Sequence, residues 1–181
     1  HGLCNRMLRA HHRDANLPQL FGILDTADQL SLIKRMYKAH NLDDDRFRDD
    51  LPAVLDRARA VGVTHIVVVA TTAASCLSGQ TLAQSYPDML SPTAGIHPNH
   101  AKEAAPDDWD VVVRLVRDRK AIALGETGLD RHWHDTPFPM QEDYFARHLN
   151  LAREENLPVV IHCREAEADV LRMLRHEFDH H

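Results

Sequence analysis

The feature that most constrains the fold of this chain is an uninterrupted apolar run at residues 64–70, THIVVVA. β-Branched side chains favour strands, and a strand without polar alternation is expected to be buried on both faces, as in a parallel sheet. Shorter segments at 90–95, 121–125 and 158–162 are predicted to be further strands. The sequence therefore predicts four strands of a parallel sheet.

Helical patterns separate these predicted strands and also precede the first of them. We predict helices at residues 49–61, 73–86, 107–118, 139–156 and 166–177. Strictly alternating strands and helices indicate βα units, so the predicted fold class is α/β. Four strands are fewer than the about eight that close a (β/α) barrel.

The first 42 residues differ from the rest of the chain in charge and in pattern. They contain six Lys or Arg and three Asp or Glu, a net charge of +3, whereas residues 43–181 contain fifteen and twenty-four, a net charge of −9. Residues 2–12 and 26–40 are predicted to be helices. We therefore predict two parts, a helical arm at 1–42 and an α/β domain at 43–181.

Composition excludes several classes of protein. No apolar run reaches the about 18 residues of a membrane span, so no membrane partner is expected. Three cysteines in 181 residues are too few for a disulfide scaffold, which favours a cytoplasmic location. The acidic part is a poor electrostatic partner for a nucleic-acid backbone. If it acts on a phosphate ester, a bound cation is expected to supply the attraction.

Three predicted strands deliver polar side chains to one edge of the sheet. In parallel α/β folds the active site lies at the carboxyl ends of the strands. His97 follows the strand at 90–95, Glu126 follows the strand at 121–125, and His162 ends the strand at 158–162. Imidazole and carboxylate are the ligands of hydrolytic metal ions, which keep an open position for the attacking water. We expect these side chains to lie within about 12 Å of one another, a span set by metal–ligand bonds of about 2 Å.

Structural roles remain open for the same side chains. Glu126 could form a salt bridge or cap a helix, His162 could be a hydrogen-bonded core histidine, and His97 could hold the turn at 95–100. His100 is predicted to be more exposed. Arg164 could bind a phosphate as a planar fork, or it could pair with a neighbouring carboxylate.

Three segments resemble the TatD family of metal-dependent hydrolases, which are amidohydrolase-type TIM barrels. They are TAGIHPNHAKE at 93–103, AIALGETGLD at 121–130 and LPVVIHCREAEAD at 157–169, in the family's order and spacing. The resemblance extends over about residues 44–178. It implies a partial TIM-barrel fold and a phosphodiesterase that acts on DNA from its 3′ end or on another phosphoester, with a place in DNA repair.

The resemblance also implies roles for individual residues. Glu126 and His162 match the family's metal ligands, and His97 matches a catalytic or phosphate-contacting position. His100 and Arg164 are the further expected substrate contacts, and Asp130 has a supporting role. The implied cofactor is a divalent metal ion, with Mg²⁺ favoured over Mn²⁺ and Zn²⁺.

The family pattern is incomplete in this chain. Alignment on Leu42-Asp43-Asp44 places Ala39 and Asn41 where the family has a first-strand pair of histidine ligands. About half of the family's barrel is represented, and the later His and Asp ligands are missing. We therefore expect impaired hydrolysis. The alternative is a non-catalytic fold remnant that binds metal or DNA without turnover.

The first segment resembles a different family. Residues 1–44 are similar to a stretch of the UvrD/Rep-type DNA helicases, without the Walker A loop or the other ATPase motifs. The two resemblances meet between residues 41 and 45, close to the change in charge. We therefore predict a chimera, in which residues 1–42 form helices rather than a strand of the barrel.

Overall fold

A computed structural model of the chain describes residues 46–178. The helices predicted at 2–12 and 26–40, the junction at 41–45 and the aligned positions Ala39 and Asn41 lie outside the described residues. The chain divides into two compact units, His1–Val61 and Gly62–His181.

In the first unit the structure describes helix α1, Arg46–Ala60. Two helical stretches meet at Asp50, whose φ and ψ of −124° and 16° are not helical. Pro52 follows the kink, where a proline is tolerated because the first turn of a helix needs no backbone N–H donor. The Arg57 side chain lies 3.4 Å from the Asp50 carboxylate and spans the second stretch.

The second unit alternates strands and helices. Its elements are β1 (Ile66–Val68), α2 (Ala73–Ser85), β2 (Leu90–Pro92), a 3₁₀ helix (Pro98–Glu103), α3 (Asp108–Arg117), β3 (Leu124–Asp130), α4 (Phe138–Glu155), β4 (Val159–Arg164) and α5 (Glu167–Phe178).

All four strands run parallel, as the sequence predicts. β1 pairs with β2, and β3 pairs with β4. A single parallel bridge between Ala94 and Leu124 links the two pairs. Next to this bridge the chain allows no side chain, because a Cβ on Gly95 would lie 2.6 Å from the Cα of Gly125. The result is the α/β arrangement of a partial TIM-type barrel.

The third strand differs most from its predicted bounds. It covers Leu124–Asp130 rather than 121–125, so Glu126 and Asp130 lie inside a strand and not in a turn after it. Gly128 has a φ of +142°, and a Cβ there would run into the backbone carbonyl of His162. The glycine that suggests a turn instead lets β3 approach β4 closely.

The core lies between the sheet and helices α2 to α4. Its members include Cys76 of α2, Val116 of α3, Leu124 of β3 and Leu151 of α4. A second cluster joins α4 to α5.

The prediction that the first strand is buried on both faces is wrong. Val67 and Val69 are 44% and 41% exposed, and Ile122 and Ile161 are exposed as well. The continuous apolar run predicts that other elements pack against both faces of the sheet, whereas helices α2 to α4 of the described chain pack against one face.

No helix among residues 46–178 is both long enough and apolar enough to cross a membrane.

Candidate metal centre

The polar side chains of the predicted edge are placed by backbone hydrogen bonds between neighbouring segments. The amide of Glu126 donates to the carbonyl of Ala70 at 2.7 Å, and the amide of His97 donates to the carbonyl of Thr71 at 2.9 Å. In the β3–β4 register, Gly128 is opposite His162. The carboxyl ends of β1, β3 and β4 therefore meet the loop that follows β2.

The structure brings His97, Glu126 and His162 together. One ligand atom from each lies within 4.8 Å of the other two. Nδ1 of His162 is 3.2 Å from Oε1 of Glu126, and Nε2 of His97 is 4.0 Å from the same oxygen. Their side chains are 12–19% exposed, so the cluster is shielded from solvent but accessible.

His162 lies between two carboxylates. Its Nδ1 faces Glu126, and its Nε2 is 2.9 Å from Oδ2 of Asp130. Burial alone would lower the pKa of His162, but the hydrogen bonds to Glu126 and Asp130 outweigh burial and raise it. The hydrogen bond from His162 lowers the pKa of Glu126 against the opposing effect of burial. The two shifts therefore favour the ionised carboxylate of Glu126 and the protonated ring of His162.

Asp130 orients His162 from a fully buried position. The backbone amides of His132 and Trp133 donate to Oδ1 of Asp130 at 2.8 and 2.9 Å. The side-chain amide of Asn99 donates to Oδ2 at 3.2 Å. Burial would raise the pKa of Asp130, but these donors together with His162 lower it. Asp130 is therefore a charged support for the imidazole.

A second layer holds the backbone of Asp130. Its amide donates to the Gln141 side chain at 2.8 Å, and the Gln141 amide donates to the carbonyl of Thr136 at 3.0 Å. The Thr136 hydroxyl donates in turn to the carbonyl of Asn99 at 3.1 Å. These bonds connect helix α4 to the loop of residues 131–137 and to the 3₁₀ helix.

The tautomer of His97 follows from its local hydrogen bond. His97 caps the 3₁₀ helix, and its Nδ1 accepts from the amide of Asn99 at 3.1 Å. Burial, together with the charge of nearby His162, lowers the pKa of His97 to about 4. The ring is therefore neutral at physiological pH, and its proton is on Nε2. This nitrogen faces the cluster as a hydrogen-bond donor.

His148 of α4 is a structural support that sequence reasoning missed. It is fully buried. Its Nδ1 donates to the carbonyl of Tyr144 at 2.6 Å, and its Nε2 accepts from the amide of Ile96 at 3.1 Å. Burial lowers the pKa of His148 to about 4. A neutral imidazole therefore fixes the residue that precedes His97.

The remaining predicted residues surround the cluster. The ring of His100 is 5.9 Å from that of His97, and its Nδ1 is 3.4 Å from Glu103. Arg164, at the end of β4, places its guanidinium 5.7 Å from the ring of Trp133. In the described part of the chain, no carboxylate lies within ion-pair distance of this guanidinium.

Helical spacing was the signal available for the missed supports. Gln141, Phe145, His148 and Leu149 are all buried residues of α4. They fall on one face of a helix, because residues three and four apart are neighbours there. A polar side chain within such a stripe indicates a buried hydrogen bond. That pattern could have identified Gln141 and His148.

The donor chemistry of the cluster fits a divalent cation. Glu126 offers carboxylate oxygens, which suit Mg²⁺ and Mn²⁺, and His162 offers imidazole, which suits Zn²⁺ and Mn²⁺. A carboxylate behind a ligating histidine, as Asp130 stands behind His162, is the usual arrangement of protein metal sites.

Comparison with known protein families and curated proteins gives a consistent result. The sequence model of the family described as TatD related DNase matches residues 38–181. The chain is 39% identical over 126 residues to the 3′-5′ ssDNA/RNA exonuclease TatD of Pantoea ananatis, covering 70% of this chain and 48% of that protein. It is 34% identical over 137 residues to the metal-dependent hydrolase YabD of Bacillus subtilis, covering 76% and 53%.

Solved structures show the same fold. The TatD homolog YJJV of Escherichia coli matches with a TM-score of 0.68 and 30% identity, covering 72% of this chain and 51% of that one. A TatD family hydrolase of Entamoeba histolytica matches with a TM-score of 0.64 and 23% identity, covering 75% and 51%. The chain spans about half the length of the relatives it matches.

Proposed function

We propose that this chain, which belongs to the family of TatD-related DNases, is a metal-dependent phosphodiesterase that acts on single-stranded nucleic acid from the 3′ end. The observation that carries the proposal is the 3.2 Å contact between Glu126 and His162, with Nε2 of His97 directed at the same carboxylate. The relative from Pantoea ananatis is named for such an exonuclease activity.

In this proposal Glu126 and His162 hold the metal ion. The ion would be Mg²⁺, with Mn²⁺ and Zn²⁺ as the other candidates. When bound, it supplies Lewis-acid polarisation of the phosphoryl group and a bound water of lowered pKa, about 7 in the best-known zinc enzymes. Asp130 keeps Nε2 of His162 engaged at 2.9 Å, so Nδ1 is the nitrogen directed at the metal position.

His97 contacts the phosphate rather than the metal ion. Ligation through Nε2 would need a lone pair on that nitrogen, but the amide of Asn99 occupies Nδ1 and leaves the proton on Nε2. A neutral N–H donor stabilises negative charge on a phosphoryl oxygen. The same bond argues against His97 as a general base, because its lone pair is already used.

Two basic side chains extend the substrate site outward from the cluster. Arg164 offers a planar guanidinium that matches a phosphate, and no carboxylate of the described chain neutralises it. His100 is 43% exposed beside His97 and provides a weaker contact. The two side chains would bind phosphates on either side of the bond that is cleaved.

A non-catalytic role is the second candidate, and one observation favours it. Alignment on Leu42-Asp43-Asp44 places Ala39 and Asn41 where the resemblance implies a pair of histidine ligands, and a hydrolytic site needs several protein ligands. A site with few ligands would bind Mg²⁺ weakly, because this ion keeps most of its water. The chain would then bind metal or nucleic acid with little or no turnover.

A combined assay of cleavage and metal binding tests both roles. A 5′-labelled single-stranded oligonucleotide is incubated with the 181-residue chain and Mg²⁺ or Mn²⁺, and isothermal titration measures the affinity for each ion. Glu126→Gln should lower the metal affinity by at least about 100-fold, because it replaces the charged ligand. Glu154→Gln, at an exposed helical position paired with Arg117, is the matched control.

The outcomes separate the candidates. A ladder of products shortened from the 3′ end, lost in Glu126→Gln but kept in Glu154→Gln, establishes the hydrolase. Metal binding that needs Glu126, without any cleavage, establishes the non-catalytic role. A metal affinity that is the same in all three proteins would contradict both.

We extend the proposal to the first part of the chain and to its location. Residues 1–42 are a helicase-derived arm joined to the hydrolase domain at 43–181. The net charge of +3 in that arm against −9 in the remainder supports the division. Cysteine usage favours a cytoplasmic location, where nucleic acid is present.

A further inference from the structure

An open cavity of about 270 Å³ lies beside the candidate metal centre. It is lined by Asp130, Trp133, Thr136, Phe138 and Gln141, among others. Its volume is below the about 300–1,000 Å³ of pockets that enclose drug-sized ligands. A site of this size fits one aromatic ring system rather than an extended ligand.

Trp133 is the exposed aromatic side chain at this cavity. It is 50% exposed, although its backbone amide is bound to Oδ1 of Asp130 at 2.9 Å. The ring of His132 meets the Trp133 ring edge-on, with centroids 5.0 Å apart. The tryptophan therefore presents an accessible ring from a backbone that is fixed to the candidate metal centre.

Arg164 connects this tryptophan to His162. His162 and Arg164 are two positions apart on β4, so their side chains lie on the same face of the strand, about 6–7 Å apart along it. The Arg164 guanidinium is 5.7 Å from the Trp133 ring. A metal position, a cation and an aromatic ring thus follow one another outward from the cluster.

We propose that Trp133 is a stacking platform for the base of the 3′-terminal nucleotide of a single strand, with Arg164 on the adjoining phosphate. The inference rests on the proposed action on single-stranded nucleic acid. Aromatic rings bind single strands of any sequence, because every base has a π face. A planar base would occupy the cavity, and the phosphate on the 5′ side of that nucleotide would face the Arg164 guanidinium and the cluster.

The test compares two octathymidylates, one normal and one whose 3′-terminal residue lacks its base. Binding to the 181-residue chain is measured by anisotropy in EDTA, which prevents cleavage. Trp133→Ala should weaken binding of the normal strand by about 5- to 150-fold, as expected for one stacked base. It should leave the abasic strand unchanged. Leu77→Ala, at an exposed position on α2, should change neither affinity.

Trp133→Phe separates stacking from a structural role. Phenylalanine keeps a ring, so most of the affinity for the normal strand should return. Tryptophan fluorescence should be quenched when the unaltered chain binds the normal strand, and Trp133→Phe should lose that quenching while it still binds.

Each other result overturns the inference. Equal losses for both strands in Trp133→Ala, without rescue by Trp133→Phe, would assign Trp133 to the architecture of the loop. Equal affinity of the unaltered chain for the two strands would remove the base contact while the proposed hydrolase remains. Failure to bind either strand would overturn the stacking inference, whereas the cleavage assay and the metal titration of Glu126→Gln would still test the proposed hydrolase.

Discussion

Two regions of the molecule each bring one histidine to the same cluster, and they shift the pKa values of the two rings in opposite directions. The β3–β4 pair places His162 between Glu126 and Asp130, whose carboxylates raise its pKa in spite of burial. The segment from Gly95 to Glu103 places His97 4.0 Å from one oxygen of Glu126, and burial lowers the pKa of His97 to about 4. Histidines with ring centroids 4.3 Å apart therefore have pKa values shifted in opposite directions.

The difference shows how each region determines chemistry. Strand register aligns His162 with its carboxylates and produces a candidate ligand. In the loop, the amide of Asn99 donates to Nδ1 of His97, and the amide of the preceding Ile96 donates to Nε2 of His148. The strand pair should therefore respond to changes in backbone packing, and the loop to changes in the protonation of its supports.

The largest expected effect comes from breaking the strand pair. Gly128→Ala places a methyl group against the backbone of His162 at a φ of +142°. We expect a loss of about 3 kcal/mol in the free energy of unfolding, because steric overlap and backbone strain add together. Urea denaturation measures the loss.

Gly62→Ala is the matched control for this substitution. Gly62 also has a positive φ, +92°, but no atom lies within 4 Å of its added Cβ. Only backbone strain applies there, so about 1–2 kcal/mol is expected. Equal losses at the two glycines would show that close approach of β3 to β4 contributes nothing.

The second effect concerns the protonation of the loop's support. The pKa of buried His148 is lowered from 6.5 to about 4, so the unfolded chain binds this proton first as pH falls. The contribution of neutral His148 to the free energy of unfolding is fully present above pH 6.5, and it is lost as the pH falls toward 4. The loss should reach about 3 kcal/mol.

Comparison of two variants isolates this contribution from that of His97, which titrates in the same range. Between about pH 7 and pH 4, the free energy of unfolding of His148→Gln should fall by about 3 kcal/mol less than that of the unaltered chain. His134→Gln, at an exposed position, should follow the unaltered chain. A His148→Gln curve parallel to both would be inconsistent with exclusion of the proton by burial.

The smallest of these effects tests whether the charge of Asp130 supports His162 in metal binding. Asp130→Asn keeps an acceptor for the amides of His132 and Trp133 but removes the charge that faces His162. Loss of such a support weakens metal binding by about 10- to 100-fold. Titration with Mn²⁺ measures it, with the exposed Asp135→Asn as control. Unchanged affinity would mean that His162 needs no charged partner.

Much of the fold could be predicted because its signals are local. The apolar runs locate all four strands, and the helical patterns give the bounds of α2 to α5 within about two residues, the usual uncertainty at helix ends. The extent of β3 could not be predicted, because Gly125 and Gly128 favour a turn when taken alone. Only the approach of β4 shows why glycine is needed within a strand.

The candidate site could be predicted in part for the same reason. The rule for parallel strands brings His97, Glu126 and His162 to one edge without any knowledge of the fold's details. The supports His148 and Gln141 depend on contacts across 52 and 11 residues. Sequence spacing predicts a buried helical face, but it contains no information about which distant amide that face will meet.

The contact of Gly95 with Gly125 has a consequence for how this protein can change. No side chain fits at either glycine, so no substitution at these two positions of the sheet can reshape the candidate metal centre. The loop of residues 131–137 has more freedom, since several of its side chains are exposed. Laboratory evolution toward a new substrate should therefore accumulate its changes in that loop and leave the paired glycines untouched.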